Sequence, residues 1–189
     1  MPVRIGLISD THIPEARHEL WPQAFAALKG ADVILHAGDI YDLRIIDELG
    51  KIAPVYAARG NGDDGSGGRP VQPHDDRLRD AWTLEIGGIA IGMTHTLFPP
   101  AFEPTLTRLF PDRRPDVLVY GDTHVEEIQT IEGVLCVNPG SPTLPHNLRT
   151  ELGTIGFLEI DGGEPTASIW QLASGGIEPF DWARWPSRG

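Results

Sequence analysis

Seven side chains with oxygen or nitrogen lone pairs fall just where apolar runs end. Asp10 and His12 follow IGLIS, Asp39 follows VIL, Asn61 follows VYAA, His95 follows the run holding Met93, and Asp122 and His124 follow VLVY. A mixed N/O set without a thiolate favours borderline or moderately hard divalent ions such as Mn²⁺, Fe²⁺, Ni²⁺ or Zn²⁺. Seven ligands exceed the needs of one tetrahedral ion and suit two ions about 3.5–4 Å apart that share a carboxylate and a hydroxide. Such a pair lowers the pKa of its bridging water and neutralises a phosphoryl group in its transition state, so the surplus points to phosphoester hydrolysis. Individually the signals are weak. An isolated Asp-x-His has little specificity, Gly38-Asp39 also reads as an ordinary turn, and Asn61 between Gly60 and Gly62 also reads as a cap or turn residue. What carries the reading is their conjunction at five strand exits. His36 reads as a core or supporting histidine and His18 and His74 as solvated, while His146 stands open between a surface position and one near substrate.

These residues need strands to aim them. Arg4 to Ser9, Val33 to Leu35 and Val55 to Ala58 read as short buried strands. Between them, Ala16 to Lys29 predicts a helix stopped by Gly30, and Leu43, Ile46 and Leu49 predict a second helix before Gly50. This tempo predicts βαβ units in a sheet covered on both faces. In an open α/β sheet the C-terminal strand ends converge on one edge, where sites form. Asp63 to Arg79 is rich in Asp, Gly, Pro and Arg and reads as a surface loop. Trp82 to Ile86 and Ile89 to Met93 flank Gly87-Gly88 as a hairpin. Phe98-Pro99-Pro100 punctuates the chain, Pro104 to Phe110 is a short helix, and Val117 to Tyr120 another strand. Ile128–Ile131, Val134–Val137, Ile155–Ile160 and Ala167–Leu172 predict a mainly antiparallel second half with turns at Glu132-Gly133 and Gly162-Gly163.

The chain has 189 residues, which suits one domain, and 40% hydrophobic residues can fill its core. We assign 1–172 to that domain and 173–189 to a C-terminal tail, docked through Trp182 and Trp185 on the body or on a second subunit. A formal charge of −12 disfavours long nucleic acids and anionic membranes as partners. No apolar run approaches the roughly 20 residues that span a bilayer. The lone Cys136 excludes an internal disulfide framework and reads as core. A soluble protein of a reducing compartment, the cytoplasm, is expected.

Asp10-Thr11-His12, Gly38-Asp39, Gly60-Asn61-Gly62-Asp63, Met93-Thr94-His95 and Gly121-Asp122-Thr123-His124 resemble, in order and spacing, the calcineurin-like metallophosphoesterase superfamily. Asn138-Pro139-Gly140-Ser141 resembles a turn of its small bacterial and archaeal phosphodiesterases, which are related to the retromer-type scaffold protein. The resemblance spans about residues 3 to 172. It implies an α/β fold, a four-layer αββα sandwich with two mixed β-sheets. It also implies a small phosphoester substrate hydrolysed by in-line attack of a metal-bridging hydroxide, and a homodimer is in keeping with the family. By position, Asp10, His12 and His124 would hold one ion, Asp39 would bridge, and Asn61 and His95 would hold the second. Asp122 stands where the family carries a histidine, which shifts preference toward harder ions, with Mn²⁺ expected first and Ni²⁺, Fe²⁺ or Zn²⁺ as alternatives. Besides Asp39 and Asn61, Arg59 is placed at the catalytic centre, either on a phosphate oxygen or in a structural salt bridge. Gly62 stands where related protein phosphatases carry a histidine that assists the leaving group. Asp63 and His36 are read as supports that orient the bridging water or a liganding histidine. The rival function is a non-catalytic scaffold on the same sandwich, recruiting a protein partner.

Overall fold

The computed structural model describes residues 2–97, 99–146 and 152–184. Trp185 and residues 147–151 lie outside the described residues. Two mixed sheets form the body. The first has seven strands in the order β12-β11-β10-β1-β2-β3-β4. Of these, β1 (Val3–Ile8), β2 (Val33–His36), β3 (Val55–Ala58) and β4 (Leu78–Arg79) are parallel. Next to β1, β10 (Thr154–Asp161), β11 (Glu164–Ala173) and β12 (Gly176–Pro179) add antiparallel. The second sheet has five strands in the order β5-β6-β7-β9-β8. Here β6 (Ile89–Thr94), β7 (Val117–Val119) and β9 (Val134–Pro139) are parallel, flanked by antiparallel β5 (Ala81–Ile86) and β8 (Glu126–Ile131).

Strand alternation sorts the apolar side chains into three interfaces, because successive residues face opposite sides of a sheet. Ile34 of β2 and Phe157 of β10 pack with α1 (Pro22–Leu28) and α2 (Arg44–Leu49). Their strand neighbours Leu35 and Leu158 point the other way, against Ile91, Val117 and Val137 of the second sheet. Leu118 and Cys136 then face α3 (Phe102–Leu109) through Phe102 and Leu106. The result is an αββα sandwich. Burial pushes the Cys136 thiol up to about 11, leaving it an inert core group.

Three expectations need correcting. The first helix starts at Pro22, not Ala16. Proline favours the first helical turn, and the residue before it is pushed out of the α region, as the 136° ψ of Trp21 shows. The strand exits do not share one sheet, since β6 and β7 belong to the second. The strands after Ile128 are antiparallel in pairs but split between sheets, with β8 and β9 in one and β10 and β11 in the other. Past Leu172 the chain continues into β12, and Phe180 is buried between the sheets with Trp182 against its ring at 4.8 Å. Among the described residues no helix is long and apolar enough to cross a membrane.

Candidate metal centre

The exits of β1, β2 and β7 share a backbone device. Asp10 and His12, Asp39 and Tyr41, and Asp122 and His124 are i,i+2 pairs with φ of 53° and 46°, 55° and 71°, and 71° and 57°. Among the described residues the only other non-glycine residue with positive φ is Glu132, in a hairpin turn. Left-handed backbone at such residues costs on the order of 1 kcal/mol each and persists where the surroundings over-determine it. Here it turns alternate side chains back toward one point.

The surroundings are a mesh of hydrogen bonds. Asp10 N–H donates to Gly38 O at 2.9 Å and His12 N–H to Asp39 O at 3.0 Å, tying the β1 exit to that of β2. Asp63, fully buried, accepts the N–H groups of Ile40, Tyr41 and Gly60 at 2.9–3.2 Å, tying β2 to β3. Asn138 donates to Gly121 O at 2.9 Å and Thr123 Oγ1 at 3.1 Å, while Ser141 Oγ donates to Asp10 O at 2.7 Å. The Asn-Pro-Gly-Ser turn is thus a brace between the β1 and β7 exits. Gly121 permits their approach, because a Cβ there would collide with Ser9 Oγ. Gly38 N–H donates to His36 Nδ1 at 3.2 Å, so the ring proton lies on Nε2, toward Thr11 Oγ1 at 3.1 Å. Burial holds His36 at about 4, against the pull of the Asp63 and Asp10 carboxylates, so it supports the Asp10-Thr11-His12 turn as a neutral ring. Asp63 braces backbone N–H groups, and His36 the Gly38 N–H and the Thr11 hydroxyl.

Two groups of candidate ligand atoms result, Asp10–His12–His124 and Asp10–Asp39–His95, each within 4.8 Å of one another. His95 and His124 donate from Nδ1 to Ala37 O at 2.7 Å and Leu144 O at 2.8 Å, which aims both Nε2 atoms inward. Facing oxygens lie at 3.4 Å for His12–Asp39 and His124–Asp10, 3.5 Å for His95–Asp39 and 3.6 Å for His95–Asp122. These gaps are too long for hydrogen bonds. With 3.7 Å for His12–Asp10 and 3.9 Å for His95–Asp10, they run at or somewhat above the roughly 3.4 Å edge of a tetrahedron whose bonds to a central ion are about 2.1 Å. Nε2 of His12 and of His95 are buried without a hydrogen-bond partner, a costly state unless a cation takes those lone pairs. The residues fit a pair of divalent ions, with Asp10 common to both groups and Asp39 touching a histidine of each.

Electrostatics agree. Burial pushes the Asp10 carboxyl up, but the facing His12, His95 and His124 rings and the Ser9 hydroxyl outweigh it and hold it below the ordinary range. Burial raises Asp39, only partly offset by His95 and the Gly62 N–H, which donates to Asp39 Oδ1 at 2.7 Å. Burial alone would lower His95, but the Asp10 and Asp39 carboxylates, with help from Ala37 O and Asp122, hold it above its usual value. Burial lowers His124 despite Asp10. The His95 shift has a sign. Its imidazolium stabilises the metal-free fold below pH 6.5, and that contribution is lost as pH rises through the raised pKa. A cation must displace this proton. Metal affinity should therefore climb about tenfold per pH unit until that pKa is passed, with a proton released on binding. Calorimetry in two buffers of different ionisation enthalpy checks this, and pH-independent affinity with no proton release would refute it.

The remaining residues divide. Asp122 is exposed, with its carboxylate turned toward His95 and its N–H donating to Asp10 Oδ2 at 3.1 Å. Asn61 is exposed beside Gly62 and accepts Gly67 N–H on its carbonyl at 2.7 Å. Arg59 turns away: its guanidinium donates to Asp63 O at 3.3 Å and Gln72 O at 3.2 Å and pairs with Asp80 at 3.7 Å. Of the two readings of Arg59, a phosphate contact and a structural salt bridge, these contacts are of the second kind. His146 stacks on His124 with ring centroids 4.7 Å apart. Sequence reasoning passed over Tyr41 and Thr143, whose Oγ1 donates to Thr11 O at 2.7 Å. For Tyr41 a signal was present, since it follows Asp39 at the same i+2 spacing as His12 after Asp10.

Comparison with known proteins agrees with this geometry. Residues 3–163 match the calcineurin-like phosphoesterase superfamily domain. The chain is 36% identical over 166 residues to a probable metallophosphoesterase of Methanothermobacter thermautotrophicus, covering 87% of this chain and 90% of that protein. It is 26% identical over 171 residues to a phosphodiesterase of Methanocaldococcus jannaschii, covering 86% and 96%. In fold it is similar to Vacuolar Protein Sorting 29 of Cryptosporidium parvum, with a TM-score of 0.74 at 20% identity over 94% of this chain and 95% of that one. With matched sequence over most of its length and two acid–imidazole clusters at the shared edge of its sheets, the chain belongs to the calcineurin-like phosphoesterases, metal-dependent hydrolases.

Proposed function

We propose that this protein hydrolyses phosphodiesters of small substrates, and phosphomonoesters secondarily, by in-line displacement at phosphorus. The observation that carries the reading is the pair of buried clusters sharing Asp10, with partnerless Nε2 atoms on His12 and His95. Asp10, His12 and His124 would hold one ion, and Asn61, His95 and Asp122 the second, with Asp39 shared. Bound there, two divalent cations supply a hydroxide near neutral pH and draw charge from the phosphoryl group. The carboxylate-rich set favours Mn²⁺, with Ni²⁺, Fe²⁺ and Zn²⁺ as alternatives. Gly62 offers no side chain to protonate a departing oxygen, so aryl esters should outpace alkyl esters, whose alkoxides need that proton. The single buried Cys136 supports a cytoplasmic setting, and the charge of −12 supports small substrates over long polyanions.

The test is hydrolysis of bis-p-nitrophenyl phosphate by metal-stripped protein titrated with Mn²⁺, Ni²⁺, Zn²⁺ and Mg²⁺. Turnover should appear only with added ion and be greatest with Mn²⁺. Folded protein inactive with every ion would overturn the reading and favour a non-catalytic scaffold on the same sandwich.

A further inference from the structure

Four rings stand in a row across the centre. Tyr41 meets His12 edge-on at 4.4 Å, His12 meets His124 at 4.7 Å, and His124 stacks on His146 at 4.7 Å. Tyr41 heads the row in the position that His12 and His124 occupy at their own strand exits, with a phenol where they carry an imidazole. Its seat is built for it. A Cβ at position 62 would collide with the Tyr41 ring, so glycine follows Asn61 because the tyrosine takes that volume.

Over the Tyr41 ring lies Arg69, its guanidinium carbon 3.9 Å from the centroid. Arg69 Nε donates to Glu15 Oε1 at 2.8 Å, and its Nη2 to Glu15 Oε2. The loop that carries Arg69 is pinned on both sides. Gly67 N–H donates to Asn61 O at 2.7 Å, Gln72 N–H to Asp63 O at 2.8 Å, and Gln72 Nε2 to Tyr41 O at 2.7 Å. Arg59 bonds the carbonyls of Asp63 and Gln72 at the two ends of this loop. As a stability device the Glu15–Arg69 pair is worth little, because Glu15 is exposed and Arg69 only partly covered. Its placement is another matter. The guanidinium is separated from the His12 ring by no more than two short steps, 3.9 Å to Tyr41 and 4.4 Å beyond. A guanidinium within that reach of a ligand histidine suits a group one substituent beyond a phosphoryl held at the metal cluster. A planar, always-charged fork matches phosphate oxygens two at a time.

We propose that Arg69, seated on Tyr41, recognises a second phosphate on the substrate, and that Glu15 occupies its guanidinium until that phosphate displaces it. The inference rests on the phosphoesterase reading above and narrows its substrate class to phosphoesters bearing a further anionic group. The probes are thymidine 5′-(p-nitrophenyl phosphate) and its counterpart phosphorylated at the 3′ oxygen, which differ only in the distal phosphate. Wild-type protein should show a KM about tenfold lower for the doubly phosphorylated ester, the worth of an exposed charge-assisted pair. In Arg69→Gln the ratio of the two KM values should collapse to about one, with the loss falling on KM rather than kcat. Arg69→Lys should keep part of it, and Glu15→Gln should widen it, a change of opposite sign. Equal ratios in wild type and Arg69→Gln, or a kcat loss shared by both esters, would overturn the proposal and mark Arg69 as a loop strut. Calorimetric binding of thymidine 3′,5′-bisphosphate separates this inference from its foundation. If no ester is turned over, the phosphoesterase reading fails, while tighter binding of the bisphosphate to wild type than to Arg69→Gln still supports Arg69 and equal binding still refutes it.

Discussion

Replacing Asp39 by asparagine should lower metal-dependent hydrolysis by about a thousandfold, the scale of several kcal/mol of lost charge stabilisation. The metal-free protein should meanwhile melt at the same temperature as wild type or higher. Asp39 lies within reach of both His12 and His95, so its carboxylate is the natural link between two ions. An amide keeps an oxygen to accept the Gly62 N–H but loses the charge. Burial raises the Asp39 pKa, so ionising it costs stability in the metal-free fold at neutral pH, and asparagine removes that cost. The gain should fade in acid, where the carboxyl is protonated in both folded and unfolded chains. Initial rates with bis-p-nitrophenyl phosphate, beside calorimetric melting of stripped proteins at pH 7 and pH 3, measure both halves. Retained turnover would remove Asp39 from the centre, and a lower melting temperature at pH 7 would contradict the electrostatic argument.

Asp63→Ala should lower the melting temperature by about 10 °C, from roughly 3–4 kcal/mol of lost hydrogen bonding. One buried carboxylate accepts three backbone N–H groups from two strand exits, and alanine leaves all three without an acceptor in a space water reaches poorly. Asp63→Asn keeps a single acceptor oxygen and should fall between alanine and wild type. Because Ile40 and Tyr41 directly follow Asp39, loosening them should also weaken metal binding, by about 10- to 100-fold. A melting temperature within a degree of wild type, with metal affinity intact, would show that the tie is dispensable. The order wild type, asparagine, alanine in both readouts is the expected signature.

The candidate ligands were legible because their signals are local. A short apolar run followed at once by Asp-x-His or Gly-Asp is visible in a few residues, and parallel strands put such exits on one edge. The hairpin at Gly87-Gly88 and the helix ending before Gly50 were legible for the same reason. What escaped depended on distant partners. Nothing near Ile155 says that β10 joins β1 while β9 joins the other sheet, since that choice is made by packing across the sandwich. Arg59 was judged by its nearness to Asn61, yet its direction is decided by carbonyls of a loop that folds back on it. Arg69 lies in a stretch of Asp, Gly and Pro with no periodicity, and only the folded loop sets it over Tyr41. The helix start failed differently: apolar spacing before Pro22 mimicked a helix that the proline forbids.

The strand carrying Asp10 and His12 is central, with β2 on one side and β10 on the other. This has a consequence for a chain being made on a ribosome. Asp122, whose N–H reaches back to the Asp10 carboxylate, emerges 112 residues later, and the Ser141 hydroxyl that braces Asp10 O follows 131 residues after it. At ordinary elongation rates that interval is on the order of ten seconds. During it the early ligands hang on an incomplete sheet, without the partners that aim them in the folded centre. The centre is therefore a property of the finished chain, complete only once Ser141 has reached Asp10.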